Sequence, residues 1–140
     1  MNRVTLALTL LCLASCSTPQ QSWPNQSKEV VWTAMVAVAN SPDYGAPDPR
    51  KRWIVVKNKV DANSQTGKIL VNRTIARSLQ LPLQIEQNEE RSWLFDIQLL
   101  PNQIPTVTFD TVKQPMVPAQ VHDEANRYFE QINELIQLDE

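Results

Sequence analysis

The period of the apolar residues changes twice along this chain, and that change constrains the fold more than any other feature. Near one end Val31, Ala34, Met35 and Val38 recur at helical spacing, and near the other Val121, Ala125, Tyr128, Phe129, Ile132, Leu135 and Ile136 do the same. Between them the period falls to two: Trp93, Phe95, Ile97 and Leu99 alternate with Leu94, Asp96 and Gln98. A period near 3.6 lines one face of a helix, and a period of two lines one face of a sheet. Elements with one apolar side each must bury those sides against one another. The pattern predicts an α+β two-layer sandwich. It has a mostly antiparallel sheet of four to five strands, with an N-terminal and a C-terminal helix on one face.

Local signals set the expected boundaries. Ser27 is placed to cap the first helix, and Glu29 puts a carboxylate in the first turn, where the helix dipole favours it. Ser41-Pro42 ends that helix, because proline restricts the residue before it. The first strand is expected over 52–60. Ile54, Val56 and Val60 would point one way, and Trp53, Val55, Lys57 and Lys59 would share the other, half-exposed face. Turn residues at 61–67 lead to a second strand over 68–77, forming a hairpin. Leu79, Leu81, Leu83 and Ile85 alternate and could form a short strand, which Pro82 would confine to an edge or a bulge. Strands over 91–99 and 106–112 follow. Pro118 fits the first turn of the last helix, whose polar face carries Asp123, Glu124, Arg127, Glu130 and Glu134.

Composition excludes several chemistries. Gly45 and Gly67 are the only glycines, so a glycine-rich phosphate loop cannot be built. The net charge of −2 lacks the basic excess of a nucleic-acid binder and adds no electrostatic pull towards anionic lipid. The apolar fraction of 42% suits one ordinary globular domain.

The N-terminus begins Met1-Asn2-Arg3 and continues with an apolar run from Val4 to Leu13. That run falls short of the roughly 20 residues a membrane-crossing helix needs. It closes on Leu13-Ala14-Ser15-Cys16, which resembles the lipobox of bacterial lipoprotein precursors. The resemblance implies a signal peptide over 1–15, a diacylglyceryl thioether on Cys16, cleavage just before it and acylation of the new amine. In the Gram-negative members of that family, a serine such as Ser17 rather than an aspartate after the cysteine implies export to the outer membrane, and the expected location is that membrane, facing the periplasm. Residues 16–27 are then expected to be a flexible lipidated tether, and 28–140 a single domain. Cys12 would leave with the leader and Cys16 would carry lipid. No thiol would remain for a disulfide, a metal or nucleophilic catalysis. The order of elements is similar to the helix-grip and related two-layer sandwiches of some envelope lipoproteins, including the BamC type of barrel-assembly accessory.

The remaining candidates are single residues or short runs. His122 is the only histidine; it is expected on the surface of the last helix, and a metal site would need several such ligands. Glu86, Glu89 and Glu90 read as a solvated acidic turn, and Arg50-Lys51-Arg52 as a guard against edge pairing. Trp23 is expected to pack on the domain's edge, and Trp93 in the core with Phe95 and Phe109. Trp53, with Val55, Lys57 and Lys59, is the candidate partner-binding surface. Asp96 and Asp110 would serve a hydrolase only by converging in a cleft. The expected function is that of a non-enzymatic, lipid-anchored envelope protein, an accessory or protein-binding module with no cofactor or metal. It would meet the membrane through its anchor and a protein partner in the envelope. An alternative is a carrier of lipid or another apolar ligand in a cavity between helices and sheet. A carboxylate hydrolase is a third.

Overall fold

A computed structural model describes residues 18–79, 82–112 and 118–138. Cys16 and the leader lie outside the described residues. The fold is the α+β sandwich that the change of period implies: a five-stranded antiparallel sheet and two helices. In chain order the elements are β1 (Gln20–Ser22), α1 (Lys28–Asn40), a 3₁₀ turn (Pro49–Lys51), β2 (Ile54–Asn63), β3 (Lys68–Leu79), β4 (Gln87–Leu99), β5 (Thr106–Thr111) and α2 (Pro118–Leu138). The strands lie in the order β1-β5-β4-β3-β2, so β2 to β5 form a meander and β1 closes the far edge.

The termini of α1 follow from its sequence. Ser27 Oγ accepts the Val30 N–H at 3.2 Å, and the Ser41 N–H closes on the Ala37 carbonyl at 2.9 Å. The helix buries Val31, Ala34, Met35, Val38 and Ala39. From α2, Ala125, Tyr128, Phe129, Ile132 and Ile136 enter the same core, while Leu135 is exposed. The sheet contributes Ile69, Val71 and Ile75 from β3, Trp93, Phe95 and Ile97 from β4, and Val107 and Phe109 from β5. Rings run in contact from Trp93 through Phe95, Phe109, Tyr128 and Phe129 to Trp23, with centroids 4.9 to 6.1 Å apart. The Tyr128 hydroxyl donates to the Met35 carbonyl at 2.8 Å and ties α2 to α1.

Four expectations are corrected. The flexible tether is largely absent, because Gln20–Ser22 pairs with Thr106, Val107 and Thr108 of β5. Trp23 is buried, and its indole N–H donates to Asn133 Oδ1 at 2.7 Å. Burying a large side chain contributes about 1.5–3 kcal/mol, which together with the β1–β5 pairing works against the cost of ordering this segment.

The second correction concerns β2. Its register skips at Val56: Val55 faces Ile75, but Lys57 faces Thr74. This bulge adds one residue and exchanges the two faces of the strand beyond it. Trp53 and Val55 therefore pack against the core, Ile54 and Val56 face solvent, and Asn58 and Val60 turn towards the helices.

The third lies between β3 and β4. These strands run together as far as Leu79 and Gln87, so Glu89 and Glu90 belong to β4, and 82–86 form a turn rather than a strand. Leu81 lies outside the described residues. Lastly, Glu124 is buried rather than part of α2's solvated face.

Candidate functional site

The bulge brings Asn58 opposite Arg73 on the helix-facing side of the sheet. Arg73 is only 5% exposed, yet each of its nitrogens has a partner. Nε donates to Asn58 Oδ1 at 3.0 Å, Nη1 to the Tyr44 hydroxyl at 3.1 Å, and Nη2 to the Ala39 carbonyl at 3.0 Å. Tyr44 in turn donates to Glu124 Oε2 at 2.7 Å. The Arg127 guanidinium sits over the Tyr44 ring, 4.7 Å from its centroid. This cluster locks the loop after α1 onto β3 and α2.

Burial pushes the Glu124 carboxyl above its usual range; the Tyr44 hydrogen bond and the Arg127 and Arg73 charges oppose that shift. Burial also pushes the Tyr44 hydroxyl far above its ordinary value. The set is a buried clamp in which Arg73, Tyr44 and Glu124 are directed at one another, while Arg127 Nε is buried without a hydrogen-bond partner.

Near the clamp, two guanidinium groups approach the Trp53 ring. Arg77 lies 4.4 Å and Arg91 4.7 Å from its ring. Glu89 joins them, taking a hydrogen bond from Arg77 Nε at 2.8 Å and lying 4.0 Å from Arg91. The indole expected to be free for a partner thus already has two guanidinium groups over its ring. Of the four residues offered as a partner-binding surface, Trp53 and Val55 lie on the core side, while Lys57 and Lys59 are exposed on the other.

The apolar side chains that face solvent at this end of the sheet are different ones. Ile54 is 66% exposed and Val56 62%. They line a shallow groove with Ala76, Ser78, Asn88 and Glu90. Leu83 and Ile85 are almost wholly exposed in the β3–β4 turn. The alternation at 79–85 carried part of this signal; the exposure of Ile54 and Val56 required knowledge of the bulge.

The other candidates occupy separate places. Asp96 and Asp110 are cross-strand partners, brought together on the face away from the helices rather than in a cleft. Lys68 pairs with Asp96 at 2.8 Å, and the Thr111 N–H donates to Asp110 at 2.7 Å. His122 is exposed on α2, in a depression shared with Thr18, Pro19 and Gln20. Lys51 ends the 3₁₀ turn and Arg52 follows it, ahead of β2. Among the described residues no group of three or more His, Cys, Asp or Glu could hold a metal ion.

The layer between helices and sheet, where the alternative reading puts a carried ligand, is filled by Met35, Ile69, Phe95 and Ile132. An open apolar groove of about 430 Å³ lies instead between the helices, lined by Val30, Ala34, Ala37, Leu135, Ile136 and Leu138 among others. No helix among the described residues is long and apolar enough to cross a membrane. No family model, curated protein or solved structure matches the chain.

Proposed function

We propose that this chain is a lipid-anchored protein of a bacterial envelope, held at the outer membrane on its periplasmic side, and that it works as a non-enzymatic accessory or protein-binding module. The observation that carries the reading is the distance between the lipobox and the fold. Gln20, where β1 starts, is four residues beyond Cys16. An acylated Cys16 would therefore hold the body against the bilayer surface. Two or more acyl chains make such residence durable, since each buried methylene contributes about 0.8 kcal/mol.

The accessory role rests on where the polar groups go. Arg73, Tyr44 and Glu124 satisfy one another, Glu89 is taken by Arg77, and Asp96 by Lys68. What the molecule offers outward at one end is an edge strand with Ile54 and Val56 exposed.

Replacing the thiol tests the anchor. Cys16→Ala should move the protein from the membrane to the soluble fraction of lysed cells without lowering its melting temperature. Retention of the variant on membranes would refute the reading, as would a native N-terminus whose mass shows an unmodified thiol.

A further inference from the structure

We infer that Arg91 and Arg127 form an anion site between β4 and α2, and that it takes a phosphate group. The chain as a whole carries a net charge of −2, yet four guanidinium groups gather at this one place. Arg73 and Arg77 on β3 and Arg91 on β4 project from the helix-facing side of the sheet, in register with Trp93, Glu89 and Ile75. Arg127 comes from α2, one turn beyond Glu124 and on the same side of that helix.

Two of the four have their partners. Arg73 donates to Asn58, Tyr44 and Ala39, and Arg77 holds Glu89 at 2.7 Å. The other two have donors left over. Arg91 reaches Glu89 only at 4.0 Å, and its side chain is 38% exposed. Arg127 lies over the Tyr44 ring, and its Nε is buried with no hydrogen-bond partner among the described residues. Buried donors in native proteins almost always have an acceptor, so an orphaned one calls for a ligand, a water or an ion.

The local charge favours an anion over a water. Burial pushes the Glu124 carboxyl up, and its hydrogen bond with Tyr44 and the charges of Arg127, Arg73 and Arg91 oppose that rise. Arg91 from the sheet and Arg127 from the helix thus lie within charge reach of one carboxyl, whose own charge burial disfavours. Glu89 is already taken by Arg77. Asp123 and Glu130, acidic neighbours of Arg127 along α2, are exposed, where water and salt screen them. Two arginine forks match the oxygens of a phosphate, which brings a charge of about −1.5 to −2 and three acceptor oxygens. A lone carboxylate brings about one charge and two oxygens. The Trp53 and Tyr44 rings lie 4.7 Å from the Arg91 and Arg127 guanidinium groups, and so limit their freedom before an anion arrives.

Calorimetric titration of the full chain, in neutral detergent at low salt, tests the site with inorganic phosphate as the probe. Phosphate should bind saturably, about one per chain. Arg91→Gln and Arg127→Gln should each weaken that binding at least about tenfold, the order expected when a charged hydrogen bond is lost. Lys57→Gln removes the same charge from an exposed position of β2 and should change it by less than about twofold. Arg91 is partly exposed, so Arg91→Gln should keep its fold even if Arg127→Gln does not. None of these readouts depends on whether Cys16 is acylated.

A second arm identifies the source of the phosphate. Dioctanoyl phosphatidic acid, a lipid carrying a phosphate monoester, is titrated in the same detergent. Tighter binding of the lipid than of inorganic phosphate, with the same dependence on Arg91 and Arg127, would support the site as one for a lipid headgroup. Binding of inorganic phosphate alone would support it as one for a soluble phosphate compound. Three results would overturn the inference. They are no saturable binding of phosphate, equal losses in Lys57→Gln and Arg91→Gln, and tighter binding of the dicarboxylate succinate than of phosphate.

Discussion

Arg73 and Glu124 show how much of the stability depends on single polar side chains. Removing one member of a buried ionic cluster leaves its partners without hydrogen bonds, at a typical cost of about 3–5 kcal/mol. Arg73→Ala should lower the unfolding free energy by that order, read from urea denaturation, because Asn58, Tyr44 and the Ala39 carbonyl lose their common donor. Glu124 acts through pH. Its carboxyl titrates above the usual 4.5 in the folded state because burial disfavours its charge. The folded chain then binds its proton more tightly than the unfolded chain. The stability this supplies is complete below the unfolded value and is lost as pH rises through the folded one. Glu124→Gln keeps an acceptor for Tyr44 and removes that loss. Its stability relative to the parent should therefore rise as pH increases above 4.5, in urea melts on either side of that value. A gap that stays constant would deny Glu124 its raised value. Neither role was legible in the sequence. Glu124 falls beside the apolar stripe of α2 and, being charged, reads as solvated; its partner Tyr44 is 80 residues away.

The elements were more open to inference. The period of three to four placed α1 and α2, and Ser27 and Ser41-Pro42 located the ends of the first helix almost to the residue. Alternation identified β4 and β5. It failed at β2, because a bulge obeys no sequence period: residues on either side of Val56 each alternate correctly, but on opposite faces. It also missed β1, whose three polar residues carry no apolar signal and depend on β5 and on Asn133, which Gln21 reaches at 2.9 Å. Because α2 covers Phe109 and completes the core with Tyr128 and Ile132, a chain ending at Val112 should lose the larger helix of its helical layer and expose the core. Such a fragment should aggregate, or remain expanded by size-exclusion chromatography. A monomeric fragment with a sharp thermal transition would contradict the two-layer account.

At the scale of the whole molecule the two sheet faces differ. One is closed by helices and ring contacts. The other carries short-range polar pairs, such as Thr74 with Ser92 at 2.8 Å and Lys68 with Asp96. β1, the first strand in the chain, hydrogen-bonds to β5, the last. Their pairing closes a loop containing every other strand, and contacts so distant along a chain form late in folding. On the lipid-anchored reading proposed above, a nascent chain crossing into the envelope would present its N-terminal segment to processing enzymes well before the body is complete. Maturation at Cys16 would then precede closure of the sheet, and the late pairing of β1 with β5 would draw the newly anchored end in against the finished protein.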